Sequence, residues 1–237
     1  MGLNSVETIF NNLDDWRKLP AYQLERRADI FFATYLHEVL KNLKISNDIN
    51  IIPEFPLSKK AFRENYVHHD SVKMDYLVLD KENHKAIFVE LKTDMNSVDY
   101  NQYQNMVTAS KVKLSQICQW AIEAFPRNII KRRKYYHLLT KLNELGLIII
   151  PESVKDMIES NDHRGIKNNL KQIYADKDVN NFIIPHDILY ILPYLNPPSL
   201  PDLKIRQQVT FEKFAENIST KDELALRFIE SLDKWRK

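Results

Sequence analysis

The chain has 237 residues, 44% of them hydrophobic and 28% charged, with a formal net charge of +2. That length is enough to bury a proper core, and the near-neutral balance excludes a highly basic nucleic-acid coat protein and confines any polyanion contact to local patches. Its only glycines are Gly2, Gly146 and Gly165 and its only cysteine is Cys118, which excludes a Gly-rich phosphate loop, a dinucleotide fingerprint, an intrachain disulfide and a Cys-based zinc site. No apolar run approaches the ~18 residues of a membrane span. The start, MGLNSVETIFNNLDDW, lacks the basic-then-apolar layout of a signal peptide, and Val6 stands where a myristoylation site wants Ser or Thr. A cytoplasmic protein with no membrane partner is the expectation.

Residues 5–18 set Val6, Ile9, Phe10, Leu13 and Trp16 at helical spacing. Pro20 suits the first turn of a second helix, which runs to about Leu43 on a core stripe of Leu24, Ala28, Phe31, Phe32, Tyr35, Leu36, Val39 and Leu40. INIIPEFPL reads as a strand whose prolines point to an edge or a bend. Two more strands follow, roughly 71–79 and 85–92, with DKENH as the turn. From about Val98 a long helix carries Met106, Val107, Leu114, Ile117, Cys118, Ala121 and Ile122 as far as Phe125-Pro126. Residues 128–178 read as a helical insert, interrupted by the apolar LGLIII. NFIIPHDILYILPYL returns to strand character. A last helix, about 220–236, opens with Thr220 and Glu223 at capping-box spacing. The order is helix, three strands, helix, helical insert, strand, helix, which makes one mixed α/β domain over 1–237.

Three charges interrupt the strands of KMDYLVLDKENHKAIFVELKTD: Asp75 in the first, Glu90 and Lys92 at the end of the second. Asp80, Lys81 and Glu82 fall in the turn. Strand alternation projects Glu90 and Lys92 to the same side, and pairing through the turn brings Asp75 toward them. An unpaired carboxylate among Val, Ile and Phe is strongly disfavoured, whereas a paired or metal-bound one is not. Two neighbouring carboxylates suit a hard cation such as Mg²⁺, which keeps waters for a phosphate substrate. A nearby Lys orients or deprotonates a water, or offsets phosphate charge in the transition state. The alternative is a structural salt bridge at the end of the sheet.

Asp75, followed after fourteen residues by Glu90-Leu91-Lys92 on adjacent strands behind a helix, resembles the signature of the PD-(D/E)XK nuclease superfamily, the restriction-endonuclease-like fold. The likeness covers about residues 20–125 plus the strand near 188–194, and leaves the insert and tail outside. Met74 stands where the family name expects Pro. The resemblance implies a restriction-endonuclease-like core, a central mixed sheet flanked by helices. It also implies a magnesium-dependent nuclease, a hydrolase that cuts phosphodiester bonds of DNA (or RNA) with Mg²⁺ (or Mn²⁺). Asp75 and Glu90 would ligate the metal with help from the Leu91 carbonyl, and Lys92 would position the attacking water.

The family often adds an acid on the first core helix, for which Glu25 is the first choice and Asp29 the second. Both also suit a helix N-terminus as ordinary first-turn acids. Exonuclease-type branches add a Gln after the Lys strand, here Gln102 ahead of Gln104, either of which is equally a solvated glutamine. Phosphate contacts fall to Arg26-Arg27, Lys59-Lys60, Lys111, Lys113 and the run Lys131, Arg132, Arg133, Lys134, with Tyr135 and Tyr136 beside it to stack on unpaired bases; such a run is also an ordinary solvated helix face. DNA is the expected partner, and single-site members that cut duplex DNA often work as homodimers. His68-His69 has no third ligand at matching spacing, and Cys118 belongs to the core. Two rivals stay open. One is a catalytically inactive nuclease-fold protein serving as a nucleic-acid-binding or protein-interaction module. The other is a buried ion-pair network in an unrelated α/β protein.

Overall fold

The computed structural model describes residues 5–61, 71–125, 132–159, 169–185 and 188–236. The first half of the chain contributes α1 (Ser5–Trp16), α2 (Leu24–Asn42), β1 (Ile49–Ser58), β2 (Ser71–Asp80), β3 (Lys85–Leu91), α3 (Tyr100–Ala109) and α4 (Leu114–Ala124). The second half contributes α5 (Arg132–Glu144), β4 (Ile148–Ile149), α6 (Glu152–Glu159), β5 (Tyr174–Ala175), β6 (Leu189–Leu192), β7 (Gln208–Thr210), α7 (Phe211–Glu216) and α8 (Glu223–Trp235). The main sheet runs β1-β2-β3-β6-β7. Its first three strands are an antiparallel meander, and β6 and β7 lie parallel to β3. The fold is thus mixed α/β, a central mixed sheet flanked by helices. No helix among the described residues is long and apolar enough to cross a membrane. His68, His69 and Lys131 lie outside the described residues.

Alternation along the strands builds the two layers. Leu77, Leu79, Ala86, Phe88, Tyr190 and Leu192 pack toward α3, α4 and α5. Val78, Ile87, Val89, Leu91, Ile191 and Val209 pack toward α1, α2, α7 and α8. At the centre of that second layer Phe32 meets Phe211, Phe214 and Phe228 at ring distances of 5.2, 5.2 and 5.1 Å. β1 takes the sheet edge, where prolines are tolerated, and it also bends. Glu54 has φ of +51°, and the strand changes faces there: Ile49 packs in the α2 layer, Phe55 and Leu57 in the other. The register places Glu54 between the Pro53–Tyr76 and Phe55–Met74 pairs, opposite Asp75. A left-handed non-glycine residue costs about 1–2 kcal/mol, so the bend is held by its surroundings.

Several sequence expectations change. The helix predicted from Val98 to Phe125 is two helices: the Ser110 hydroxyl donates to the Val107 carbonyl at 2.8 Å, competing with the helical ladder, and Lys113 is extended before α4 begins. The insert is not all helical. Gly146, at φ of +72°, turns the chain at the end of α5, and Ile148–Ile149 then pair with Tyr174–Ala175. α2 begins at Leu24 rather than near Pro20. The last helix is capped by Asp222, which accepts from the Ala225 N–H at 2.8 Å, rather than by Thr220, whose N–H and hydroxyl donate to Glu38. β7 and α7 have no counterpart in the predicted order, because three strand residues carry too little periodicity to register. Their presence draws the tail into the core, with β7 paired to β6.

Asp80 is not a solvated turn residue. It ends β2 fully buried and accepts from the Ser46 hydroxyl at 2.5 Å and from the Asn83 N–H and amide, each at 2.9 Å. Asp80→Ala strands these donors and is expected to lower the unfolding free energy by roughly 1–3 kcal/mol. A urea titration reads this as a lower midpoint at unchanged slope; an unchanged midpoint would contradict the anchoring role.

Candidate active site

The β2–β3 ladder ends at the Tyr76–Val89 pair. One step further, the Asp75 carboxylate takes over the ladder's role and accepts the Leu91 N–H at 2.7 Å. Glu90 continues the row of Ala86 and Phe88 on β3 and is only 1% exposed. Lys92 follows β3 directly, its N–H donating to the Ile191 carbonyl at 2.9 Å and its ammonium to Glu90 Oε1 at 2.6 Å. Asp99 caps α3 by accepting the Gln102 N–H at 2.9 Å. From that first turn the Gln102 amide donates to the same Glu90 oxygen at 2.6 Å. At the end of the sheet α2 presents Glu25, whose Oε1 lies 3.7 Å from Lys92 Nζ.

Asp75, Glu90, Leu91, Lys92, Glu25 and Gln102 therefore come together. Asp29 makes no hydrogen bond or ion pair with them among the described residues, though its charge acts on Asp75: its carboxylate accepts the adjacent Ile30 N–H at 2.7 Å, and its carbonyl accepts the Tyr76 hydroxyl at 2.8 Å, pinning α2 to β2. Gln104 is exposed. Arg26 is exposed beside Glu25, whereas Lys111 is exposed beyond the far end of α3 from Gln102. Arg133 is exposed on α5, and of Arg132 only the backbone is described. Tyr135 is buried and Tyr136 packs on the same core, so α5 turns its aromatics inward instead of offering them to bases.

Tyr190 was missed by sequence reasoning. It lies opposite Glu90 in the parallel β3–β6 register, and its buried hydroxyl has no hydrogen-bond partner among the described residues. Burial first, then the charge of Glu90, pushes its phenol well above the ordinary range. The only sequence signal is a tyrosine inside the apolar LYIL, since a buried phenol normally requires a partner.

The carboxyls crowd a single ammonium. Burial, reinforced by the charge of Asp75, pushes Glu90 up to about 8 against the pull of Lys92. Asp75 is raised by burial, and Glu25 by burial with the charge of Asp75 adding to it. Burial works against the charge on Lys92, but Glu90 and Glu25 outweigh it and hold the ammonium above its usual range. Glu90 Oε2 is buried and no donor faces it among the described residues; the Asp75 carboxyl lies against Glu90 and satisfies it only when one of the two holds a proton. Among the described residues no three His, Cys, Asp or Glu side chains form a ready metal cage. The donors present are instead two neighbouring carboxylates, hard oxygens with surplus negative charge. Mg²⁺ sites fit that set, because Mg²⁺ binds through one or two carboxylates and retains waters.

No protein-family model, curated protein or solved structure matches the chain.

Proposed function

We propose that the chain is a metal-dependent phosphodiesterase acting on nucleic acid, a nuclease of the PD-(D/E)XK type. The observation that carries this is the buried Glu90 carboxyl held against the Asp75 carboxyl, with Lys92 fixed on Glu90 Oε1. A site with no task for that carboxyl has no physical reason to keep it dry against a second carboxyl. Asp75, Glu90 and the Leu91 carbonyl would hold a Mg²⁺ ion, which supplies Lewis-acid polarisation of a phosphoryl oxygen and a lowered water pKa. Lys92 orients the attacking water and offsets charge developing on the phosphate. Gln102 fixes the plane of the Glu90 carboxylate, and Glu25 keeps Lys92 protonated and aimed.

The test is cleavage of labelled DNA and RNA in Mg²⁺, Mn²⁺ or EDTA. Cleavage is expected with either ion, to vanish in EDTA, and to be lost in Asp75→Asn. Cleavage that persists in both Asp75→Asn and Glu90→Gln sinks the mechanism. The rival is an inert module in which the charges form a closed network, favoured by the saturation of Glu90 Oε1 by Lys92 and Gln102. Thermal unfolding separates the two. A metal site gains stability with added Mg²⁺ in the wild type but not in Asp75→Asn, whereas a closed network gains in neither.

A further inference from the structure

A cleft of about 570 Å³ opens beside this site, and Glu25 and Thr93 belong to its wall. It is bounded by the segments that follow β3 and β6, by the approach to α2, and by the ends of α1 and α8. It thus lies off the carboxyl ends of two neighbouring parallel strands, where α/β sheets place their ligands.

Four cations line the cleft, Arg17, Lys18, Arg26 and Arg236, against two carboxylates, Glu25 and Asp94. Two of the cations are committed elsewhere. Arg17 donates to the Lys234 and Trp235 carbonyls at 2.8 and 3.1 Å, and Arg236 pairs with Glu212 and Asp233 at 2.7 and 2.6 Å. Lys18 and Arg26 are exposed and have no side-chain partner among the described residues. Aromatic rings stand between and across from them. Tyr22 lies on the wall, edge-on to Trp16 at 6.0 Å. Tyr194, just past β6, leaves 53% of its surface in solvent.

Uncommitted cations beside an exposed ring, Tyr194, and a half-buried one, Tyr22, are what an unpaired polynucleotide requires, with cations for its phosphates and ring faces for its bases. A duplex hides those faces in its own stack. The volume also falls in the range of small-ligand pockets, about 300–1,000 Å³. We infer that this cleft binds a single, unpaired nucleic-acid strand, with Lys18 and Arg26 on its phosphates and Tyr194 and Tyr22 stacked on its bases, and delivers that strand to the Asp75–Glu90–Lys92 site. The inference rests on the nucleic-acid reading of that site and adds the form of the substrate.

The test is fluorescence anisotropy in EDTA, with wild-type protein and three probes: fluorescein-labelled oligothymidylate, the matching oligouridylate, and the oligothymidylate annealed to its complement. Both single strands are expected to bind at least about tenfold more tightly than the duplex, the equivalent of one good stacking contact. Tyr194→Ala is expected to weaken single-strand binding about 5- to 100-fold. Lys18→Ala and Arg26→Ala should each reduce the salt slope by about 0.7. Preference for either sugar upholds the cleft and names the substrate. A duplex bound as tightly as the single strands, or Tyr194→Ala binding unchanged, overturns it. Single-strand binding without Mg²⁺-dependent cleavage upholds the cleft and removes the hydrolase reading; cleavage with no strand preference overturns the cleft alone.

Discussion

Lys92→Met is expected to lower Mg²⁺-dependent cleavage by about 10²- to 10⁴-fold, the usual worth of a positioned proton-transfer group, while the chain stays folded. Methionine preserves the apolar stem that Lys92 buries at 6% exposure and removes only the ammonium. That ammonium is 2.6 Å from Glu90 and 3.7 Å from Glu25, so its loss takes away the positive charge the two carboxylates share. The chain survives because burial already raises Glu90 and loss of the ammonium raises it further, so the carboxyl takes up a proton instead of standing as an unpaired buried charge. Single-turnover rates at saturating Mg²⁺ measure the effect, with thermal unfolding as the control for folding. The deficit should fall on kcat rather than KM, because Lys92 acts on the water and on the transition-state charge. A variant within a few-fold of the wild type would remove Lys92 from the mechanism.

Glu90→Gln is expected to stabilise the metal-free protein at about pH 8, which distinguishes a site awaiting a cation from a structural salt bridge. The sign follows from proton linkage. The folded-state pKa of Glu90 lies above its ordinary value, near 8 against 4.5, with burial as the largest cause. Between those values the folded chain holds a proton that the unfolded chain releases, so wild-type stability falls as pH rises through that window. Asp75 and Glu25, both raised by burial, act in the same direction. Lys92 does not reverse the trend, because the stability from its raised pKa is lost only at more alkaline pH.

At about 1.4 kcal/mol per unit, the Glu90 shift sets an upper bound of roughly 5 kcal/mol. The gain expected in Glu90→Gln in EDTA is roughly 2–4 kcal/mol at pH 8 and less than about 1 kcal/mol at pH 5. Added Mg²⁺ should stabilise the wild type and leave the variant unmoved. If the trio were only a salt bridge, breaking it would instead cost about 3–5 kcal/mol with no response to Mg²⁺. Urea titrations at the two pH values, with and without Mg²⁺, decide between these outcomes.

Much of the site's scaffold was legible in the residues. The period-two pattern around DKENH defined the β2–β3 hairpin and put Asp75, Glu90 and Lys92 at one end of it. The 3.6-residue stripe of α2 named its buried face, and Pro53 with Pro56 marked the edge strand. These are local signals, since each depends on residues a few positions apart.

The choice of Glu25 over Asp29, and of Gln102 over Gln104, was decided by tertiary packing. Within each pair the residues sit on one helix, and only the position of β3 shows which side chain reaches Lys92 or Glu90. Tyr190 joins Glu90 across a hundred residues of chain, and the inward turn of Tyr135 depends on α5 packing against the core. The cleft lined by Arg26 and Tyr194 is assembled from segments near both ends of the chain. By itself, then, the sequence determined the first three strands, the face of α2 and the catalytic candidates along one hairpin. Only the tertiary structure decided which of them meet and what cleft opens beside them, because periodicity records which side of an element is buried and carries no information about what lies against it.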